Sequence, residues 1–199
     1  RAAYLAFVNR VRSATRDEWM TPAFQQMLWE SADLGGVGMG TSVVLTTAYA
    51  DPAIAEALWR ARQLELPSEV GRRADAIVAV FEEVLGLVTP KHNDRRPSAK
   101  LVRALVGIFP RDLLCLLDSY KTNRVRQELA LKKQGEHFLK QHLRIRQKLG
   151  EVVGVEAGTL EAAVERSMFA WLLWERSVRA EEEQAGSGAA PTDAPAAAP

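Results

Sequence analysis

The chain has 199 residues, 47% of them apolar, with 26 Lys and Arg against 25 Asp and Glu for a formal net charge of +1. That apolar content suffices for one substantial core or two small ones and excludes wholesale disorder. The longest apolar runs, such as 76–81 and 168–174, are far too short for a membrane span, and no basic-then-apolar leader opens the sequence, so the expectation is a cytoplasmic protein with no membrane partner.

The sequence starts at Arg1 rather than Met and runs straight into residues 2–11, where Tyr4, Phe7, Val8 and Val11 recur at helical spacing. The natural start is expected upstream. Thr21-Pro22 and Asp51-Pro52 each set a capping side chain before a proline at the first helical position, where the missing amide donor costs nothing. The first helix so begun carries Phe24, Met27, Leu28 and Trp29, the second Ile54, Leu58 and Trp59. Between them, residues 42–49 contain Val43, Val44, Thr46, Thr47 and Tyr49, a composition that suits a short extended segment. Ser68 is placed to start a longer helix whose apolar stripe is Val70, Ala74, Ile77, Val78, Phe81 and Leu85. Ser98 is placed to cap another, with Leu101, Val102, Leu105 and Val106, ending before Phe109-Pro110. The apolar run 113–117 and the stretches 124–131, 136–149 and 160–178 complete the helical set. Glu181, Glu182 and Glu183 then lead into a Gly, Ala and Pro-rich stretch, 186–199, with no bulky apolar anchor. The expected architecture is mainly α, a single multi-helix domain over 1–180 with at most one short strand-like segment, followed by a flexible linker over 181–199.

Motifs for chemistry are sparse. In the Gly-rich segment 35–42, Gly35 and Gly40 have the spacing of a phosphate loop, but Thr41 stands where that loop needs Lys. The dinucleotide pattern would need a third Gly at the same position, so a tight turn after a helix is the preferred reading. His137 and His142 lie five residues apart, roughly 140° around a helix, and do not share a metal easily. Glu136-His137 lacks a second His four residues on, because Gln141 stands there. Cys115, the one cysteine, sits in an apolar run as a buried, inert thiol. No catalytic residue, metal or cofactor is expected.

Charge is the strongest signal. Fifteen of the Lys and Arg residues fall in 91–148 against five acids, an excess of ten positive charges that the remainder of the chain nearly cancels. Such a block is the footprint of a polyanion partner, or else a set of solvated helix faces. Lys140, Arg144 and Lys148 recur every fourth residue and form one cationic stripe. Arg95, Arg96, Lys100 and Arg103 cluster at a loop and helix start, where amides also favour an anion. Lys121 and Arg124 lie between the two groups. Six phosphate contacts from these nine would give a salt slope of about −5.

Several segments then point to a family. Arg95-Arg96-Pro97-Ser98-Ala99-Lys100-Leu101, Ala104-Leu105 and Phe109-Pro110-Arg111-Asp112 resemble a signature in the region that precedes the motor of McrB-like AAA+ ATPases. Gly36-Val37-Gly38-Met39-Gly40-Thr41, His142 to Gly150 and Trp171-Leu172-Leu173-Trp174-Glu175 occur in the order seen in such proteins. The resemblance spans residues 19–176. It implies an N-terminal module joined through a linker to a GTP- or ATP-driven motor in the same chain, with DNA, including modified DNA, as ligand and a partner endonuclease that cuts it. The Walker motifs are absent from these residues, so the piece itself is expected to be non-enzymatic. Two readings stand: a DNA-recognition module of a restriction and antiviral-defence ATPase, or a helical protein-interaction or assembly module of the same kind of ATPase that binds no nucleic acid.

Overall fold

A computed structural model of the chain describes residues 1–34, 43–154 and 158–187, with side chains through residue 183. The chain is mainly α: ten helices, α1 Ala2–Ser13, α2 Arg16–Trp19, α3 Pro22–Glu30, α4 Thr46–Tyr49, α5 Pro52–Gln63, α6 Val70–Val88, α7 Ser98–Ile108, α8 Ser119–Glu128, α9 Phe138–Val153 and α10 Leu160–Ser187, account for the regular structure, with one 3-10 turn at Ala32–Leu34 and no strand among the described residues.

The local signals that start helices operate as written in the sequence. Thr21 Oγ1 accepts from the Phe24 amide at 3.2 Å and Asp51 Oδ1 from the Ala53 amide at 2.9 Å, each before a proline at the first helical position. Two caps are corrected by a residue or two. Helix α6 begins at Val70 after Glu69 rather than at Ser68, and Ser98 is the first residue of α7 rather than its cap. The stretch expected to become helical at 124 starts at Ser119, because Asp118 accepts from the Lys121 amide at 2.8 Å and supplies the start signal five residues earlier.

Two larger expectations are reversed. Of the segment expected to be extended, 42–49, Ser42 lies outside the described residues, Val43 to Leu45 have no regular structure, and Thr46–Tyr49 form one helical turn. The apolar run 113–117, placed among the helices, is irregular. Helix α10 also continues through Glu181, Glu182 and Glu183 to Ser187, so the boundary expected at 180 falls inside a helix. The linker expectation for 188–199 and the Gly-rich loop 35–42 lie outside the described residues.

Helix α7 is the centre of the molecule: Leu101, Val102, Ala104, Leu105 and Val106 are fully buried. It packs against α1, α3 and α6, while α6 packs also on α5 and α9. Gly107 lets α1 approach closely, since a Cβ there would sit 2.8 Å from the Phe7 ring. A second, smaller apolar cluster of Leu114, Leu116, Val125, Ile145, Leu149 and Ala170 lies under α8, α9 and α10.

Residues 113–117 run between the two clusters. Leu113, Cys115 and Leu117 face the main core, and Leu114 and Leu116 face the smaller one, a period of two that only a non-helical backbone provides. A buried irregular segment must find partners for its amides; the Phe109 carbonyl accepts from Leu113, and side chains serve Leu114 and Cys115. Ser167 Oγ accepts from the Cys115 amide at 2.7 Å and from the Tyr4 hydroxyl at 3.1 Å. His142 Nδ1 accepts from the Leu114 amide at 3.2 Å, and its Nε2 lies 3.1 Å from Thr122 Oγ1. Cys115 is buried, with its thiol 3.2 Å from the Ser167 carbonyl oxygen and its pKa pushed up by burial to about 11. It is the inert thiol expected.

Ser167→Ala strips the acceptor from two buried donors, each worth ~1–3 kcal/mol when orphaned, and is expected to lower the unfolding free energy in urea by about 2–4 kcal/mol. Burial holds the His142 pKa down at about 3, well below the ~6.5 of an unfolded histidine. The stability this neutral imidazole provides is complete above pH ~6.5 and falls as pH drops toward 3, because the unfolded chain then binds the extra proton. His137 is shifted down by burial in the same direction. Between pH 6.5 and 5 unfolding should therefore become easier by up to ~1.4 kcal/mol per pH unit through His142, and His142→Gln should flatten that slope by one proton in denaturation curves taken across the window.

Candidate functional site

The fold places the nine predicted phosphate-binding residues in several environments. Lys100 is buried, 5% exposed, with Nζ 2.7 Å from Glu30 Oε1 of α3. The Tyr49 hydroxyl donates to the same oxygen at 2.6 Å. Arg103 is buried beside them, 4% exposed, its pKa lowered by desolvation and raised in part by Glu30. Lys100, followed by the Tyr49 hydroxyl, holds the Glu30 carboxyl below the usual range. Neither cation is available to a polyanion.

The others are paired at the surface. Lys140 reaches Asp75 of α6 at 2.5 Å, and Arg96 reaches Glu82 of α6 at 2.9 Å. Arg144 pairs with Glu136, and Lys148 with Glu151 at 2.9 Å. Lys121 contacts Asp118 at 2.5 Å and lies 5.2 Å from the Trp174 ring centre, while Arg124 pairs with Glu181 on α10. The stripe Lys140, Arg144 and Lys148 is thus met along its length by carboxylates instead of standing open. Arg95 differs: its side chain is exposed and makes no ion pair among the described residues. Five of the seven pairings draw on acids outside residues 91–148, Glu30 of α3, Asp75 and Glu82 of α6, Glu151 of α9 and Glu181 of α10, which a count within that window does not register.

A carboxylate that carries structure lies at the start of α5. Asp51 accepts from Lys91 Nζ at 2.6 Å, is 2.8 Å from His92 Nε2 and caps the helix, and these contacts, Lys91 first, hold its pKa far below the ordinary range. His92 thereby ties the polar loop after α6 to α4 and α5, with Nδ1 3.0 Å from Thr47 Oγ1. Among the described residues no group of three His, Cys, Asp or Glu could hold a metal. Of the tryptophans, Trp19 and Trp29 are fully buried, and Trp19 Nε1 donates to the Ala55 carbonyl at 3.0 Å.

Sequence reasoning passed over a different set of cations. A cleft of about 450 Å³ lies between the start of α6, the turn 109–112, the second half of α9 and the start of α10, and Arg73, Arg111, Arg146 and Arg166 line it with Asp112, Glu151, Val70 and Leu143. Four guanidinium groups face two carboxylates. Arg73 holds Asp112 at 3.2 Å and the Pro67 carbonyl at 2.8 Å; Arg146, 7% exposed, donates to the Ala163 carbonyl at 3.2 Å. Arg111 and Arg146 lie inside the cationic block and Arg73 and Arg166 outside it, so no charge run marks the four as a set.

Comparisons with protein-family models, with curated proteins and with solved structures find no match to this chain.

Glu30→Gln leaves the buried Lys100 ammonium without its counter-charge. Breaking a buried pair costs ~3–5 kcal/mol; with the Glu30 side chain 35% exposed, the expected loss in chemical denaturation is about 2–4 kcal/mol. Lys100→Met removes the charge and keeps the packed stem, and should cost less than Glu30→Gln.

Proposed function

We propose that the chain is a non-catalytic helical interaction module that docks a McrB-like AAA+ motor to a protein partner. The observation that carries this reading is the internal use of the cationic block: of nine candidate phosphate ligands, seven are paired with carboxylates and Arg103 is buried beside such a pair. Surface pairs of this kind contribute little to stability, ~0–1 kcal/mol each, but they cancel the field that would draw in a polyanion. The exposed apolar side chains suit a protein surface better. Phe169 and Leu172, 37% and 53% exposed, sit one turn apart on α10, and Val152 and Val153 are exposed at the end of α9.

A second reading, DNA recognition for a restriction system, draws on a smaller patch. Glu82 contacts both Arg96 and His137, at 2.9 and 3.6 Å, which brings the loop before α7 beside the loop before α9. Arg95, Lys132 and Lys133 on those loops are exposed and form no ion pair among the described residues.

Gel shifts with duplex DNA at 50 and 200 mM salt separate the two. The interaction reading expects no salt-dependent shift, and expects Phe169→Asp with Leu172→Asp to weaken assembly of the full-length protein with its partner while leaving its melting temperature near that of wild type. A shift that weakens steeply with salt and is lost in Arg95→Glu with Lys132→Glu and Lys133→Glu would replace it with the second reading.

A further inference from the structure

We propose that the arginine-lined cleft between α6, α9 and α10 binds a small phosphorylated molecule of mononucleotide size. Its volume, about 450 Å³, falls in the range of small-ligand sites, ~300–1,000 Å³. The charge around it is asymmetric: four arginines against Asp112 and Glu151, and these acids are already engaged, Asp112 with Arg73 and Glu151 with Lys148.

Arg111 and Arg166 are the key pair. The Arg111 guanidinium donates to the Gly158 carbonyl at 2.8 Å, and that of Arg166 to the Gly154 carbonyl at 2.7 Å. Neither makes an ion pair among the described residues. A guanidinium has five N–H donors, so one carbonyl contact fixes each side chain and leaves donors over. Gly150 makes room for this, because a Cβ there would stand 2.8 Å from Arg166 Nη1. Fixed, planar, uncompensated guanidinium groups around a concavity match the oxygen geometry of a phosphate, which Arg binds in bidentate fashion. Buried Arg146 adds a third positive charge to the wall.

The remaining wall selects for more than a bare ion. Val70, 46% exposed at the rim, and Leu143 give the cleft an apolar side, on which a base or another flat group can rest while the phosphate meets the arginines. The cleft is lined by none of Phe169, Leu172, Val152 and Val153, the side chains invoked for docking, so substitutions can test each proposal without the other.

Calorimetric titration of the chain with inorganic phosphate, pyrophosphate and AMP tests it. Saturable binding is expected for AMP and pyrophosphate, tighter than for inorganic phosphate. Arg111→Gln with Arg166→Gln should weaken it at least tenfold, with an unchanged circular dichroism spectrum and melting curve. Arg12→Gln, whose side chain does not line the cleft, should bind as wild type. Absence of saturable binding up to 10 mM, equal affinity in the double variant, or duplex DNA binding that the double variant loses while AMP does not bind would each overturn the proposal.

Discussion

A stretch of irregular backbone through the middle of a helical protein is the constraint to which the rest of this structure answers. Residues 113–117 carry four leucines and a cysteine, and every one is buried. Their apolar side chains favour that position, but their amides oppose it unless each finds an acceptor. Ser167 and His142 are those acceptors at Cys115 and Leu114, and both are themselves fully buried. Helix α10 must therefore present Ser167, and α9 must present His142, at fixed positions. Through the Tyr4 hydroxyl on Ser167, α1 is held to the same point. Helices α9 and α10 are positioned by hydrogen bonds to one short segment and α1 by way of Ser167, and two apolar clusters are separated and joined by that segment.

The ionic pattern follows the same economy. Helices α6 and α9 pack side by side, and Lys140 of α9 falls opposite Asp75 of α6, with His137 and Arg96 around Glu82. Helices α8 and α10 repeat the arrangement with Arg124 and Glu181. Lys100 goes further inside, where it meets the Glu30 carboxylate that also accepts from the Tyr49 hydroxyl. Because an isolated charge there would be strongly disfavoured, this triad ties the register of α3, α4 and α7 together. A strongly cationic block can be a set of ties between helices as readily as a docking surface, and here the ties dominate.

What was legible in the sequence was local. Thr21 and Asp51 announce their helices because a cap and a following proline act within one turn, and the stripe on α6 is visible because 3.6-residue periodicity repeats over 19 residues. Short runs are another matter. The β-branched composition of 43–49 suggests extension, yet its last four residues close a helical turn; the leucines of 113–117 suggest a helix, yet alternate between two cores. Over five residues, tertiary burial outweighs propensity in both directions. The basic residues were legible as types but not as partners. Lys100 and Glu30 are 70 positions apart, and Arg124 and Glu181 more than 50, so compensation cannot be read from a window of charge. The guanidinium cleft was hidden for the same reason, its four arginines coming from separate elements.

Two of the segments on which the family resemblance rests meet at that cleft. Arg111 and Asp112 close the turn after α7, and Leu143, Arg146, Gln147 and Gly150 lie along α9. They are some 30 residues apart in sequence, yet they form adjoining walls. Arg73 of α6 fixes one of them by holding Asp112 at 3.2 Å. That ion pair engages the acid within the cleft, while Arg111 beside it makes no ion pair among the described residues. A Pro-Arg-Asp turn that directs its acid inward and its arginine to the rim, opposite a helix bearing Arg146 and a glycine that admits Arg166, needs all these residue types for packing alone only at Asp112. Arg111 held on the Gly158 carbonyl and Arg166 passing over Gly150 are the arrangement the proposed anion site calls for.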